Sequence, residues 1–223
     1  MKNKLILFIT IISLLSCKAQ TVLTLGDGQQ GNINNLSKPI FTKDLNNLRN
    51  NFYGVWQGIS GNSELTIYLY KIDDIPIGIL GNQGQSYIDQ LFGYYIYKEN
   101  GVEITNCISE ANLNQEPLNI KHSPFFGITA NTESLQLRFK DYGIQIQNPD
   151  DGSFFAKRAR ASFSITNLNS GNSLQANFEL KNIQGAGQMV VTGNTPIQDY
   201  NYNFSMPTNF TLTKIANIPP ALN

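Results

Sequence analysis

Residues 52–72 read Phe52-Tyr53-Gly54-Val55-Trp56-Gln57-Gly58-Ile59-Ser60-Gly61-Asn62-Ser63-Glu64-Leu65-Thr66-Ile67-Tyr68-Leu69-Tyr70-Lys71-Ile72. The first part, Phe52 to Ile59, is a run of apolar and aromatic residues, and it stops at the turn formers Ser60-Gly61-Asn62-Ser63. From Glu64 the chain alternates, with Leu65, Ile67 and Leu69 on one face and Thr66, Tyr68 and Tyr70 on the other. A period of two means a strand with one face in a core, and two such runs around a short turn form a hairpin.

The same pattern recurs downstream. Ser86 to Tyr97 is rich in tyrosine and apolar on both faces, and Gly93 in its middle is the residue expected at a bulge or a sharp barrel bend. Lys98-Glu99-Asn100-Gly101 is a turn, because Asn-Gly tolerates positive φ, and Val102 to Cys107 returns as the hairpin partner. Ser109 to Leu118 is polar and loop-like. Ser134–Lys140, Gly143–Gln147, Ser153–Thr166, Ser173–Lys181, Gln188–Thr192 and Asn209–Ile215 complete the series, and Asn148-Pro149-Asp150-Asp151-Gly152 is a strong turn. Thr42 to Asn51 is the one helix candidate, with Thr42 as cap and Leu45, Leu48 and Phe52 at helical spacing. Short strands with frequent turns and almost no helix predict an all-β fold. The expected form is an antiparallel barrel of about eight to ten strands with a short N-terminal helix, and a β-sandwich is the alternative.

Upstream lies a leader. Lys2 and Lys4 precede an apolar run, Leu5 to Leu15, that is about half of the ~20 residues needed to span a bilayer. A positive start, a short apolar core and small residues at the end describe a secretion signal. Leu14-Leu15-Ser16-Cys17 resembles the lipobox of bacterial lipoproteins, which implies cleavage before Cys17 and acylation of that residue. The alternative is ordinary secretion after cleavage at Ala19. The domain reading is a signal peptide over 1–16, an anchor and flexible tether over 17–41, one β-barrel domain over 42–216 and a tail over 217–223. Gly26-Asp27-Gly28-Gln29-Gln30-Gly31-Asn32 has linker composition. In the surface-exposed lipoproteins of Bacteroidota that the lipobox resembles, acidic residues often follow the cysteine, and their absence after Cys17 implies an outer-membrane location, lipid-anchored and facing the periplasm.

Gly54-Val55-Trp56 resembles the opening strand of lipocalin-like (calycin) barrels. The resemblance implies that Trp56 plugs one end of the barrel and that a basic residue on the last strand, here Lys214, covers it. Together with Ser16-Cys17-Lys18-Ala19-Gln20 and Pro207-Thr208-Asn209-Phe210-Thr211-Leu212-Thr213-Lys214, the chain is also similar to an uncharacterised group of small Bacteroidota lipoproteins. That group brings no assigned activity.

Composition narrows the function. The formal net charge is zero and 14% of residues are charged, so no basic excess points to nucleic acid. Asn and Gln make up about a fifth of the chain, well above ordinary usage. With one histidine, a multi-His zinc site is excluded and no metal or cofactor is expected. If Cys17 is acylated, Cys107 has no disulfide partner and reads as a small buried hydrophobe. Asp73-Asp74 and Asp150-Asp151 are adjacent carboxylates beside turn formers, which suits loop chemistry better than a glycosidase pair across a cleft. His122 has no nucleophile elbow near it. In Lys157-Arg158-Ala159-Arg160, parity with Phe163 puts Arg158 and Arg160 outside and Lys157 on the core side. No catalytic residue is expected. The expected function is a non-catalytic, membrane-anchored binding module for a small apolar ligand, with ligand residues unassigned. The alternative is an envelope assembly protein that meets another protein through its Tyr- and Asn-rich surface.

Overall fold

The computed structural model describes residues 21–25, 40–77, 86–111, 123–129, 131–168, 173–183, 188–190, 196–198 and 203–222. The leader, Cys17, the Gly26–Asn32 stretch and His122 lie outside the described residues. The strands are β1 (Thr21–Thr24), β2 (Ile40–Lys43), β3 (Gly54–Ser60), β4 (Ser63–Ile77), β5 (Ser86–Glu99), β6 (Val102–Asn106) and β7 (Phe125–Thr129). They continue as β8 (Ser134–Gln147), β9 (Phe154–Ile165), β10 (Gln175–Asn182), β11 (Gln188–Val190), β12 (Pro196–Gln198) and β13 (Asn209–Ala216). Two 3-10 turns, Leu48–Asn51 and Ile108–Ala111, are the helical pieces among the described residues.

Eight of these strands close an antiparallel barrel in the order β3-β4-β5-β7-β8-β9-β10-β13, and β13 returns to β3. Several neighbours in space are also neighbours in sequence, so β3–β4, β7–β8 and β8–β9 are joined by short connections. The turn Gly61-Asn62 joins β3 to β4, and beside the barrel Asn100-Gly101, where both residues have positive φ, 51° and 75°, turns β5 into β6. Inward residues follow the period-two pattern. Leu65, Ile67 and Leu69 of β4 are 0% exposed, and β8 and β9 contribute Leu135, Leu137, Phe139, Ala159, Ala161 and Phe163.

Closure depends on β7, a strand absent from the sequence-based series. Phe125 pairs with Gly93 on one side and with Phe139 on the other, so β7 bridges β5 and β8. Gly93 is not at a bulge. Its register with Leu69 and with Phe125 is regular, and the shifts fall instead at Ile72/Ile75, Tyr97/Lys98, Asp141/Gln145 and Lys214/Ala216. The reason for glycine is close approach, since a Cβ there would overlap the Tyr68 carbonyl oxygen.

The expected helix over Thr42–Asn51 is replaced by a strand and a turn. Ile40 and Phe41 pair in parallel with Ser86 and Tyr87, and only Leu48–Asn51 coils. Thr42 is therefore strand, and the turn is capped by Asp44, whose carboxylate accepts from the Leu48 and Arg49 amides at 2.7 and 3.1 Å. An Asn-rich segment of low helix propensity yields readily to such pairing. Within 17–41, read as a tether, Thr21–Thr24 pairs with Ile40–Lys43, and Leu25 is buried with Ile75 and Ile88. This parallel ribbon extends past the barrel at the end marked by Trp56.

Candidate functional site

A barrel of eight strands is narrow enough for side chains to fill it. Here the axis holds a chain of rings. Trp56 meets Phe163 edge-on at 5.7 Å, Phe163 meets Phe178 at 5.2 Å, and Phe178 meets Phe125 at 6.2 Å. Phe125 and Tyr95 each lie against Phe139, at 5.1 and 5.2 Å. Trp56, Tyr95, Phe125 and Phe163 are 0% exposed, and Phe139 and Phe178 are 1% exposed. Edge-to-face and tilted pairs add about 0.5–1.5 kcal/mol each beyond burial. The interior expected to take a small apolar ligand is thus occupied, along these described residues, by the protein's own aromatics.

The Trp56 end is shut by a cation. Lys214 Nζ lies 5.8 Å from the Trp56 ring centroid and donates to the Asn50 and Asn51 carbonyls at 3.2 and 3.1 Å. Trp56 Nε1 donates to Phe52 O at 2.7 Å, and Phe52 is fully buried. Gly54 has φ 130°, and a Cβ on it would meet the Ala216 carbonyl oxygen at 2.3 Å and the Lys214 stem at 2.8 Å, so glycine is what lets β13 and its lysine pass this close to β3. Burial, and then the Lys71 charge, push the Lys214 ammonium down to about 8.

Beside this end sits an ion network with a buried centre, Arg49, Asp44 and Asp89, and an exposed rim, Asp73 and Asp74. The Arg49 guanidinium donates to Asp44 at 2.9 Å, to Asp73 at 2.8 Å and to Asp89 at 3.4 Å, and also to the Ile72 and Gln90 carbonyls. Lys43 joins Asp74 at 2.6 Å and Asp89 at 3.4 Å. Burial lowers the Arg49 pKa, and the hydrogen bonds that it donates to Asp73 and Asp44, with the charges of Asp89 and Asp73, outweigh it, leaving the group raised overall. The network joins β2, the 3-10 turn, the β4 bulge and β5. Asp73 and Asp74 serve as bulge residues in it, Asp74 with φ 57°. Among the described residues no group of three or more His, Cys, Asp or Glu is arranged to hold a metal.

The opposite end is plugged by a returning segment. Asp141, 0% exposed, accepts from Ser205 N at 2.7 Å, from Ser205 Oγ at 2.5 Å and from Gly143 N at 3.1 Å. Lys157, the strand partner of Asp141, is also 0% exposed, with Nζ 4.8 Å from the Phe204 ring centroid. Tyr95 OH accepts from Tyr142 N at 3.0 Å, and Cys107 is a buried thiol beside it.

The outer wall carries the second aromatic assembly. On β4 and β5 the rings off the barrel axis stack, half-buried Tyr68 on buried Tyr94 at 4.4 Å and 13°, and half-buried Tyr70 on buried Phe92 at 5.3 Å and 24°. Phe126 continues the wall onto β7, with Arg138 over its ring at 5.2 Å, and Lys71 lies over Tyr53 at 5.1 Å. Residues 217–222 return against this wall, where Tyr70 OH donates to the Pro220 carbonyl at 2.8 Å. A shallow, open groove of 510 Å³ elsewhere, between Ile59, Asn177, Glu179 and Asn209, gathers no convergent charges.

A family model described as a family of unknown function (DUF6705) matches residues 1–215. The chain belongs to this family. No curated protein and no solved structure matches it.

For this family member the structure brings Gly54, Trp56 and Lys214 together at one barrel end, while Cys17 lies outside the described residues. Among the described residues no helix is long and apolar enough to cross a membrane. Lys157 faces the core, Arg160 is exposed and Arg158 is half-buried. Sequence reading missed Arg49 as a hub and Asp141 as an anchor. Asp141 occupies the core parity of Leu135, Leu137 and Phe139, and a carboxylate in that slot was the available signal.

Proposed function

We propose that this protein is a lipid-anchored, non-catalytic module of the cell envelope, held at the outer membrane through Cys17 and facing the periplasm. It meets a protein partner through the tyrosine wall of β4 and β5. The observation that carries this reading is the filled axis. A ligand seated between Trp56 and Phe139 would have to displace interlocked rings, whereas the wall presents stacked, half-buried Tyr68 and Tyr70 outward. Tyrosine suits recognition because it offers a large rigid surface and a polar tip at low entropic cost. The charged groups at the Trp56 end support a structural role, with Asp44, Asp73 and Asp89 engaged by Arg49 and Lys214 engaged by the Asn50 and Asn51 carbonyls. The leader supports the anchor, since several acyl chains at ~0.8 kcal/mol per buried methylene hold a protein stably without a spanning helix.

Two measurements test this. Cys17→Ala is expected to move the protein from the membrane fraction to the soluble one after a high-salt wash, and membrane retention of that variant overturns the anchor. A photo-crosslinking residue at Tyr68 is expected to capture a specific envelope protein that the same probe at Asp151 does not. Equal capture at both positions, or a small molecule retained in native mass spectra, overturns the surface reading.

A further inference from the structure

We propose that the tyrosine wall recognises an extended, proline-containing peptide, and that residues 217–222 of this chain occupy it in cis as a releasable strap. This rests on the reading of the wall as the working surface, and it names the class of partner. After Ala216 the chain reads Asn217-Ile218-Pro219-Pro220-Ala221-Leu222 and forms no strand. Two prolines fix φ near −65°, and a proline also drives the residue before it to extended conformations, so the segment is stiff before it binds. Such a segment has no internal hydrogen bonds and leaves its carbonyls for an outside donor. The wall supplies that donor, with Tyr70 OH on Pro220 O at 2.8 Å. Pro219 is buried and Leu222 is half-buried against the main core cluster, while Ile218 stays 74% exposed. Tyr68 and Tyr70 are the half-buried members of the stacked pairs, held flat by the buried Tyr94 and Phe92, and flat, fixed tyrosine rings of this kind line the aromatic grooves that take proline-rich segments. Contacts of this kind, without a strand ladder, release at lower cost than the barrel unfolds.

The test uses the full chain and the peptide spanning residues 217–223. In the chain carrying Pro219→Ser and Leu222→Ser, the peptide is expected to bind about tenfold tighter by calorimetry than to the unaltered chain, where the strap competes at high effective concentration. Adding Tyr70→Phe is expected to weaken that binding, as is replacing both prolines of the peptide by alanine. A double variant with native near-ultraviolet circular dichroism that binds the peptide no better than the unaltered chain overturns the proposal. Should that variant not fold, hydrogen exchange on the unaltered chain decides. Amides of 217–222 exchanging far faster than those of β4 support a strap, and exchange only on global unfolding overturns it. A crosslinked partner at Tyr68 that lacks any proline-containing segment overturns this inference and leaves the surface reading standing.

Discussion

Lys214 shows how one side chain can be both closure and cost. Its ammonium satisfies the Asn50 and Asn51 carbonyls and lies over Trp56, yet burial and Lys71 hold its pKa at about 8, below the usual 10.5. The folded state therefore binds fewer protons than the unfolded state between about pH 8 and 10.5, and stability rises with pH across that window. Urea midpoints are expected to climb from pH 8 toward 9.5, and Lys214→Met should flatten the climb while costing about 1–2 kcal/mol at pH 7, because two carbonyls lose a donor. Arg49 is a different case. Its partners Asp44 and Asp89 have side chains only 3% and 6% exposed, so Arg49→Met strands buried carboxylates and is expected to cost about 3–5 kcal/mol in urea unfolding. Arg49→Lys should not restore it, because an ammonium cannot reach three carboxylates and two carbonyls at once.

At the scale of elements, β5 is the strand on which the barrel turns. It pairs with β4 along nearly its whole length, with β7 at Leu91–Gly93, with β6 at its far end and with β2 at its start. The approach at Gly93 is tight enough that Gly93→Ala places a Cβ against the Tyr68 carbonyl. That substitution is expected to destabilise by about 3 kcal/mol, read as a lower melting temperature with loss of near-ultraviolet signal. Most of these elements were legible beforehand. Leu65, Ile67 and Leu69, and likewise Leu135, Leu137 and Phe139, alternate cleanly because one face of each strand meets the core and the other does not. β7 was not legible, since Phe125-Phe126-Gly127-Ile128-Thr129 is brief and does not alternate. Nor was β2, whose leucines downstream fell by chance at helical spacing while Ile40 and Phe41 found partners on β5.

The whole molecule is a β-barrel with aromatic content both inside and out, and that sets its alkaline behaviour. Burial raises the pKa of Tyr68, Tyr70, Tyr94, Tyr95 and Tyr97. A phenol whose folded pKa lies above its unfolded value contributes stability present below about pH 10 and lost as pH rises through the folded value. Stability is therefore expected to peak near pH 9.5–10 and then to fall steeply, with these tyrosines ionising together as the barrel unfolds. A tyrosinate absorbance titration that rises gradually, ahead of the loss of circular dichroism, would contradict this.

Sequence by itself determined the fold class, because strand periodicity and turn chemistry are local properties, and the runs at Glu64–Ile72, Ser134–Lys140 and Ser173–Lys181 display them. It also placed Lys157 on the core side, by parity alone. Tertiary structure decided what parity cannot reach. Whether a barrel interior is hollow depends on how far rings from different strands extend toward one another, and here Trp56, Phe163, Phe178 and Phe125 meet across the axis. The Arg49 network reaches Asp89, 40 positions downstream, and the Pro220 carbonyl accepts from Tyr70, 150 positions upstream. Contacts at such separations are set by closure of the barrel, which no window of sequence contains.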